Sequence, residues 1–151
     1  MWSRNHNYRY QRYSIGEKIK YYENILKKSN NTNIKAKKNL ERFRNLVNGK
    51  KVFGNVFIVK DKEFDNNAND YKPRQVVCVE AKNGKAVVIP VRKNKNMVNL
   101  SNFDFKRSIN VNSSKSIPFD RIYEKRGFKN TSNSFLTSKE KLDLHKKYFK
   151  T

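Results

Sequence analysis

The chain has 151 residues, ample for one domain and cramped for two. Its 35 Lys and Arg against 13 Asp and Glu give a formal charge of +22, far beyond what solubility calls for, and its single cysteine excludes an internal disulfide. Apolar runs of only a few residues exclude a spanning helix of about 20, so no membrane insertion is expected.

The charge imbalance points to a polyanionic partner, nucleic acid first, with an acidic protein as the lesser alternative. The N-terminal ten residues carry no apolar core of a secretory signal, which points to a cytoplasmic, reducing location. One Cys and two separated histidines, His6 and His145, offer no ligand spacing, so neither metal nor cofactor is expected.

Residues 1–13 interleave Trp2, Arg4, Tyr8, Arg9, Tyr10, Arg12 and Tyr13 without a helical or strand period, as a flexible arm would. Arginine neutralises phosphate and stacks on bases, and tyrosine offers a flat face to an unpaired base. Arg4, Tyr8, Arg9, Tyr10 and Arg12 are therefore nucleic-acid candidates. Aromatics that simply cover an apolar patch explain the same composition equally well.

Ser14 and Glu17 have capping-box spacing, and Ile15, Ile19, Tyr22 and Leu26 recur at helical intervals, predicting a helix over 14–28. After an Asn-rich break, Ala36, Leu40, Phe43 and Val47 mark a second apolar stripe that stops at Asn48 and Gly49. An antiparallel helical hairpin over 14–49 follows. Its outer faces carry Lys18, Lys20, Lys27, Lys28, Lys35, Lys37, Lys38, Arg42 and Arg44, either a groove for phosphates or a solvated surface.

From residue 50 the helical period gives way to alternation. Residues 53–59 read as a first strand, with Gly54 marking a bulge or a close approach of backbones. A long polar connection, 61–71, precedes the central hairpin, in which valine-rich strands 75–79 and 86–91 flank Asn83 and Gly84, residues suited to a tight turn. Pro73 belongs at a strand start, which puts Lys72 and Arg74 at the entrance and Arg92, Lys93 and Lys95 at the exit. Cys78, among the valines, reads as a buried inert thiol. Short strands are predicted at 98–100, 105–111 and 116–123, and Thr137 with Glu140 caps a last helix, on whose surface His145 is expected.

The order of these features resembles the MazF/PemK family of toxin endoribonucleases. Residues 54–59, Gly-Asn-Val-Phe-Ile-Val, are similar to the family's opening Gly-Asp-Val strand, and Lys72-Pro73-Arg74-Gln75-Val76-Val77 to its Arg-Pro-x-Val-Val segment with Pro and Arg exchanged. Residues 86–91 resemble the strand leading to Pro-Ile-Thr-Ser, and Asp120-Arg121-Ile122 a late Asp-Gln-Ile step. The resemblance spans about two thirds of the chain and implies an α+β fold: a small SH3-like antiparallel β-barrel with a C-terminal helix over 50–151, here preceded by the α-helical hairpin. It also implies RNA in preference to DNA, a homodimer, and an acidic antitoxin as partner; a ribonucleoprotein partner belongs to the alternative, inactive-barrel reading.

The implied activity is metal-independent cleavage of RNA by attack of a ribose 2′-hydroxyl on the adjacent phosphate. Arg74 matches the catalytic arginine by position, Asp120 is the carboxylate analogue, and Arg121 beside it is a further cation for nucleic acid. Where the family has threonine this chain has Arg92, which stabilises charge but carries no proton at ordinary pH. Arg74 and Arg92, at the two ends of one hairpin, are expected on the same side of it, facing one phosphate. Two readings remain: a nuclease, or a catalytically inactive basic barrel that binds RNA or DNA, such as a plasmid or phage inhibitor of a host ribonucleoprotein.

Overall fold

Ser14 begins the first helix as its spacing predicts: its hydroxyl accepts from the Glu17 amide (3.1 Å), and the Glu17 carboxylate accepts from the Ser14 amide (2.8 Å). The computed structural model describes residues 12–49, 51–65, 73–93, 98–100, 107–125 and 136–149, with backbone alone at 93, 98–100, 107 and 108. Helix α1 spans Ile15–Lys28 and helix α2 Ile34–Leu46, the latter capped by Asn33. Asn30 and Asn31 turn the chain between them with φ of 53° and 65°, a conformation asparagine tolerates. Leu26, Ala36 and Leu40 are buried where the two helices meet.

Seven strands follow among the described residues: β1 Val56–Lys60, β2 Pro73–Lys82, β3 Lys85–Lys93, β4 Val98–Leu100, β5 Arg107–Ile109, β6 Lys115–Pro118 and β7 Tyr123–Glu124. Helix α3, Ser138–Tyr148, closes the described chain behind a Thr137–Glu140 capping box. Asn83 and Gly84 both have positive φ, 54° and 76°, as a tight β2–β3 turn requires. The predicted strand over 116–123 is broken by Pro118, which opens a 3-10 turn at Phe119–Arg121. Asp120 and Arg121 therefore sit on a turn, because proline cannot continue the ladder.

All ladders are antiparallel. Five strands run in the order β7-β1-β2-β3-β6, and beyond Pro90 the end of β3 leaves β2 to pair with β5, which in turn pairs with β4. β6 and β7 lie on opposite edges, yet only Phe119–Ile122 join them. Across a flat sheet these edges would stand about 19 Å apart, four spacings of roughly 4.8 Å. A tight turn of that length does not reach so far, so the sheet is strongly curled. No ladder among the described residues closes it into the expected barrel.

Alternation along β2 and β3 divides the core. Val76, Cys78, Ala86 and Val88 face Phe57 and Val59 of β1, Ile117, Phe119 and Ile122, and also Ile15 of α1 and Phe43 of α2. Val77, Val79, Ile89 and Val91 face the other way, toward Ile109, Leu136 and Leu144 of α3. The helical hairpin thus shares a core with the sheet. The Ile15 amide donates to the Ile122 carbonyl (2.8 Å), fastening the start of α1 to the strand edge.

Glu124 of β7 adds an ionic tie. Its carboxylate accepts from Arg42 of α2 (2.9 Å) and from Lys18 of α1 (3.4 Å). Burial alone would raise its pKa, but these two cations more than offset that and hold it below the ordinary glutamate value.

Two outcomes follow. Phe43→Ala should cost about 3–5 kcal/mol, and helix and sheet signals should be lost in one denaturant transition; separate transitions would mean the helices fold alone. Because the Glu124 pKa is depressed in the folded state, its contribution is complete above the unfolded value of about 4.3 and is lost as pH falls through the folded value. Denaturant titrations on either side of that window should show Glu124→Gln narrowing the acid loss of stability.

Candidate nucleic-acid interface

After Lys60 the chain leaves β1 through a 3-10 turn, Asp61–Glu63, whose two carboxylates are both buried, at 7% and 9% exposure. A buried carboxylate is costly unless paired, so this turn dictates where its cations go. Arg74 of β2 stands opposite Val59 of β1, and its Nε donates to Asp61 Oδ1. Arg121 Nε lies 2.9 Å from Glu63 Oε2. Lys115 at the start of β6 donates to the Glu63 backbone carbonyl, has its Nζ 3.9 Å from Glu63 Oε1, and lies over the Phe64 ring.

Both guanidinium groups are anchored through Nε. Their Nη groups have no partner among the described residues, and they are the paired donors suited to a phosphate oxygen. Arg121 is 56% exposed and Arg74 23%, so one is an open cation and the other a recessed one. Three cations against two carboxylates leave the cluster positive.

Arg92 lies on β3 opposite Ser108 of β5, and alternation puts it on the same hairpin face as Val88, as Arg74 is with Val76. The two arginines thus share a face at the end away from the Asn83–Gly84 turn, as the sequence predicts. There β3 has already left β2, and Arg92 forms no ion pair with a described residue.

Asp120 does not join them. The turn that holds it is bonded to the Asn83–Gly84 turn by the Phe119 amide donating to the Gly84 carbonyl (3.1 Å), and while Arg121 reaches Glu63 from it, Asp120 faces α1. Its exposed carboxylate pairs with Lys20 (3.4 Å) and crowds Gly16 in the first turn of α1. A Cβ at Gly16 would clash with that carboxylate and stand 2.8 Å from the Asp120 backbone nitrogen. Asp120 lies against the start of α1, and of the expected Arg74–Arg92–Asp120 constellation Arg74 and Arg92 share a hairpin face, with Asp61 rather than Asp120 paired to Arg74.

Of the remaining candidates, Arg12 is exposed with its guanidinium 5.5 Å from the Tyr13 ring centre, and Lys93 continues β3. Arg4, Tyr8, Arg9, Tyr10, Lys72 and Lys95 lie outside the described residues. Asp61, Glu63 and Lys115 were missed by sequence reasoning. The first two fell in a stretch read only as a polar connection, and nothing near Lys115 marks it.

Other titratable groups lie apart from the cluster. Burial pushes the Cys78 thiol up to about 12, leaving it inert. His145 is exposed on α3, against the rings of Phe53 and Phe149. Among the described residues no three His, Cys, Asp or Glu side chains are grouped as a metal ion would need, and no helix is long and apolar enough to cross a membrane. Neither protein-family models nor curated proteins contain a match to this sequence.

The Arg74–Asp61 pair can be checked by a double-mutant cycle. Arg74→Ala leaves a buried carboxylate without its cation and should cost about 1–3 kcal/mol, whereas adding Asp61→Ala should recover part of that loss. Strict additivity in denaturant unfolding would mean the pair contributes nothing.

Proposed function

We propose that the chain is an RNA-binding protein that grips phosphates at the arginines held by its Asp61–Glu63 turn. The observation that carries this reading is the pair of Nε-anchored arginines, Arg74 and Arg121, whose Nη groups no described residue engages, in a chain of charge +22. A guanidinium already held by a buried carboxylate gives up little freedom on meeting a phosphate, and its fork takes two oxygens at once. Arg92 shares Arg74's hairpin face and adds a third arginine.

The MazF/PemK resemblance supports RNA over DNA and an SH3-like barrel for the curled sheet, in which consecutive strands β6 and β7 occupy opposite edges. It also makes metal-independent RNA cleavage the second reading, favoured by Arg74 at the strand entrance. Cleavage by 2′-hydroxyl attack needs a proton acceptor beside the gripped phosphate. Asp61 is the nearest carboxylate, but taking a proton would cost it its hold on Arg74. Binding without turnover therefore ranks first.

Two measurements decide. Arg74→Lys with Arg121→Lys keeps the charge and removes the fork, so RNA affinity should fall about tenfold or more if bidentate contacts matter; unchanged affinity would remove these arginines from the interface. Incubation of excess protein with mixed RNA in EDTA should leave the RNA intact. Cleavage that disappears in the Arg74→Lys variant would instead establish the nuclease.

A further inference from the structure

The helical hairpin distributes its charges unevenly. Near the sheet its cations are paired: Lys18 and Arg42 with Glu124, Lys20 with Asp120, and Arg44 with Glu23. At the opposite end, where α1 stops and α2 starts, stand Lys27, Lys28, Lys35, Lys37 and Lys38, all exposed and none ion-paired with a described residue. No acidic residue occurs from 27 to 38. The nearest acids, Glu23 and Glu41, lie closer to the sheet along their helices, and Glu23 is taken by Arg44.

Resting on the reading that the chain binds RNA, we propose that this lysine-ringed tip is a second, separate contact for the RNA backbone. Five like charges in one place repel one another, and a row of phosphates relieves that repulsion while releasing its own counterions. Helix α1 rises about 20 Å from Ile15 to Lys28, so the tip reaches phosphates that the arginine cluster does not. The chemistry is positional. Lysine is a flexible point charge without the planar fork of arginine, and the tip segment has no aromatic side chain to stack on a base. It holds a strand without reading it, and selectivity resides elsewhere.

The test replaces all five lysines with glutamine and measures binding of a mixed-sequence single-stranded RNA oligonucleotide across about 50 to 200 mM salt. A control protein carries the same substitution at five exposed lysines elsewhere: Lys51, Lys82, Lys85, Lys139 and Lys146. If each tip lysine neutralises one phosphate, the slope of log affinity against log salt should flatten by about 3.5, an affinity difference on the order of a hundredfold over that range. The control should lose far less, and relative affinities for different RNA sequences should be unchanged. A triple variant, Lys35→Gln, Lys37→Gln and Lys38→Gln, should show a proportionate loss and guards against misfolding of the fivefold one. A tip variant with the wild-type slope, or a control that loses as much, overturns the tip contact while leaving RNA binding standing. Wild-type protein that binds no RNA at the lowest salt overturns both.

Discussion

The fold depends on the register of the β2–β3 hairpin. Asn83 and Gly84 set it through their positive φ values, and from that point each residue is committed to one of two cores. A slip of one residue would turn Val76 and Cys78 toward α3 and Val77 and Val79 toward the helical hairpin, leaving both cores without matching partners. The same register settles the chemistry at the far end. It keeps Arg74 on the face of Val76 and Arg92 on the face of Val88, and Arg74 emerges where the sheet meets the Asp61–Glu63 turn.

Acidic residues are few here, and several serve to place cations. Asp61 and Glu63 fix Arg74, Arg121 and Lys115; Glu124 gathers Lys18 and Arg42 and so ties both helices to the sheet; Glu23 holds Arg44. Charge near the sheet is thus structured, with directions set by buried or half-buried carboxylates. Charge at the helical tip is not. Lysines facing only water are adaptable and suited to a partner of undefined sequence, whereas anchored arginines are suited to one phosphate in one place.

Much of the fold was legible because its signals are local. Ser14 with Glu17, Thr137 with Glu140, and Asn83 with Gly84 each declare a cap or a turn within four residues, and each appears as read. The strand expected over 116–123 is instead two strands, Lys115–Pro118 and Tyr123–Glu124, separated by the 3-10 turn Phe119–Arg121. The carboxylates opposite Arg74 and Arg121 were not legible at all. Glu63 meets Lys115 and Arg121 only because the sheet curls to bring β6 and β7 past the end of β1, a juxtaposition that no local pattern encodes.

That curl also bears on whether the arginine cluster cleaves or only holds. A catalytic carboxylate must be free to change protonation state while the phosphate stays gripped. In this cluster the same carboxylates orient the guanidinium groups, so a carboxylate that took up a proton would release the arginine it holds. Asp120, which carries no such duty, is turned toward Lys20 and Gly16 at the foot of α1. The geometry therefore separates the carboxylates that orient the arginines, Asp61 and Glu63, from the exposed Asp120.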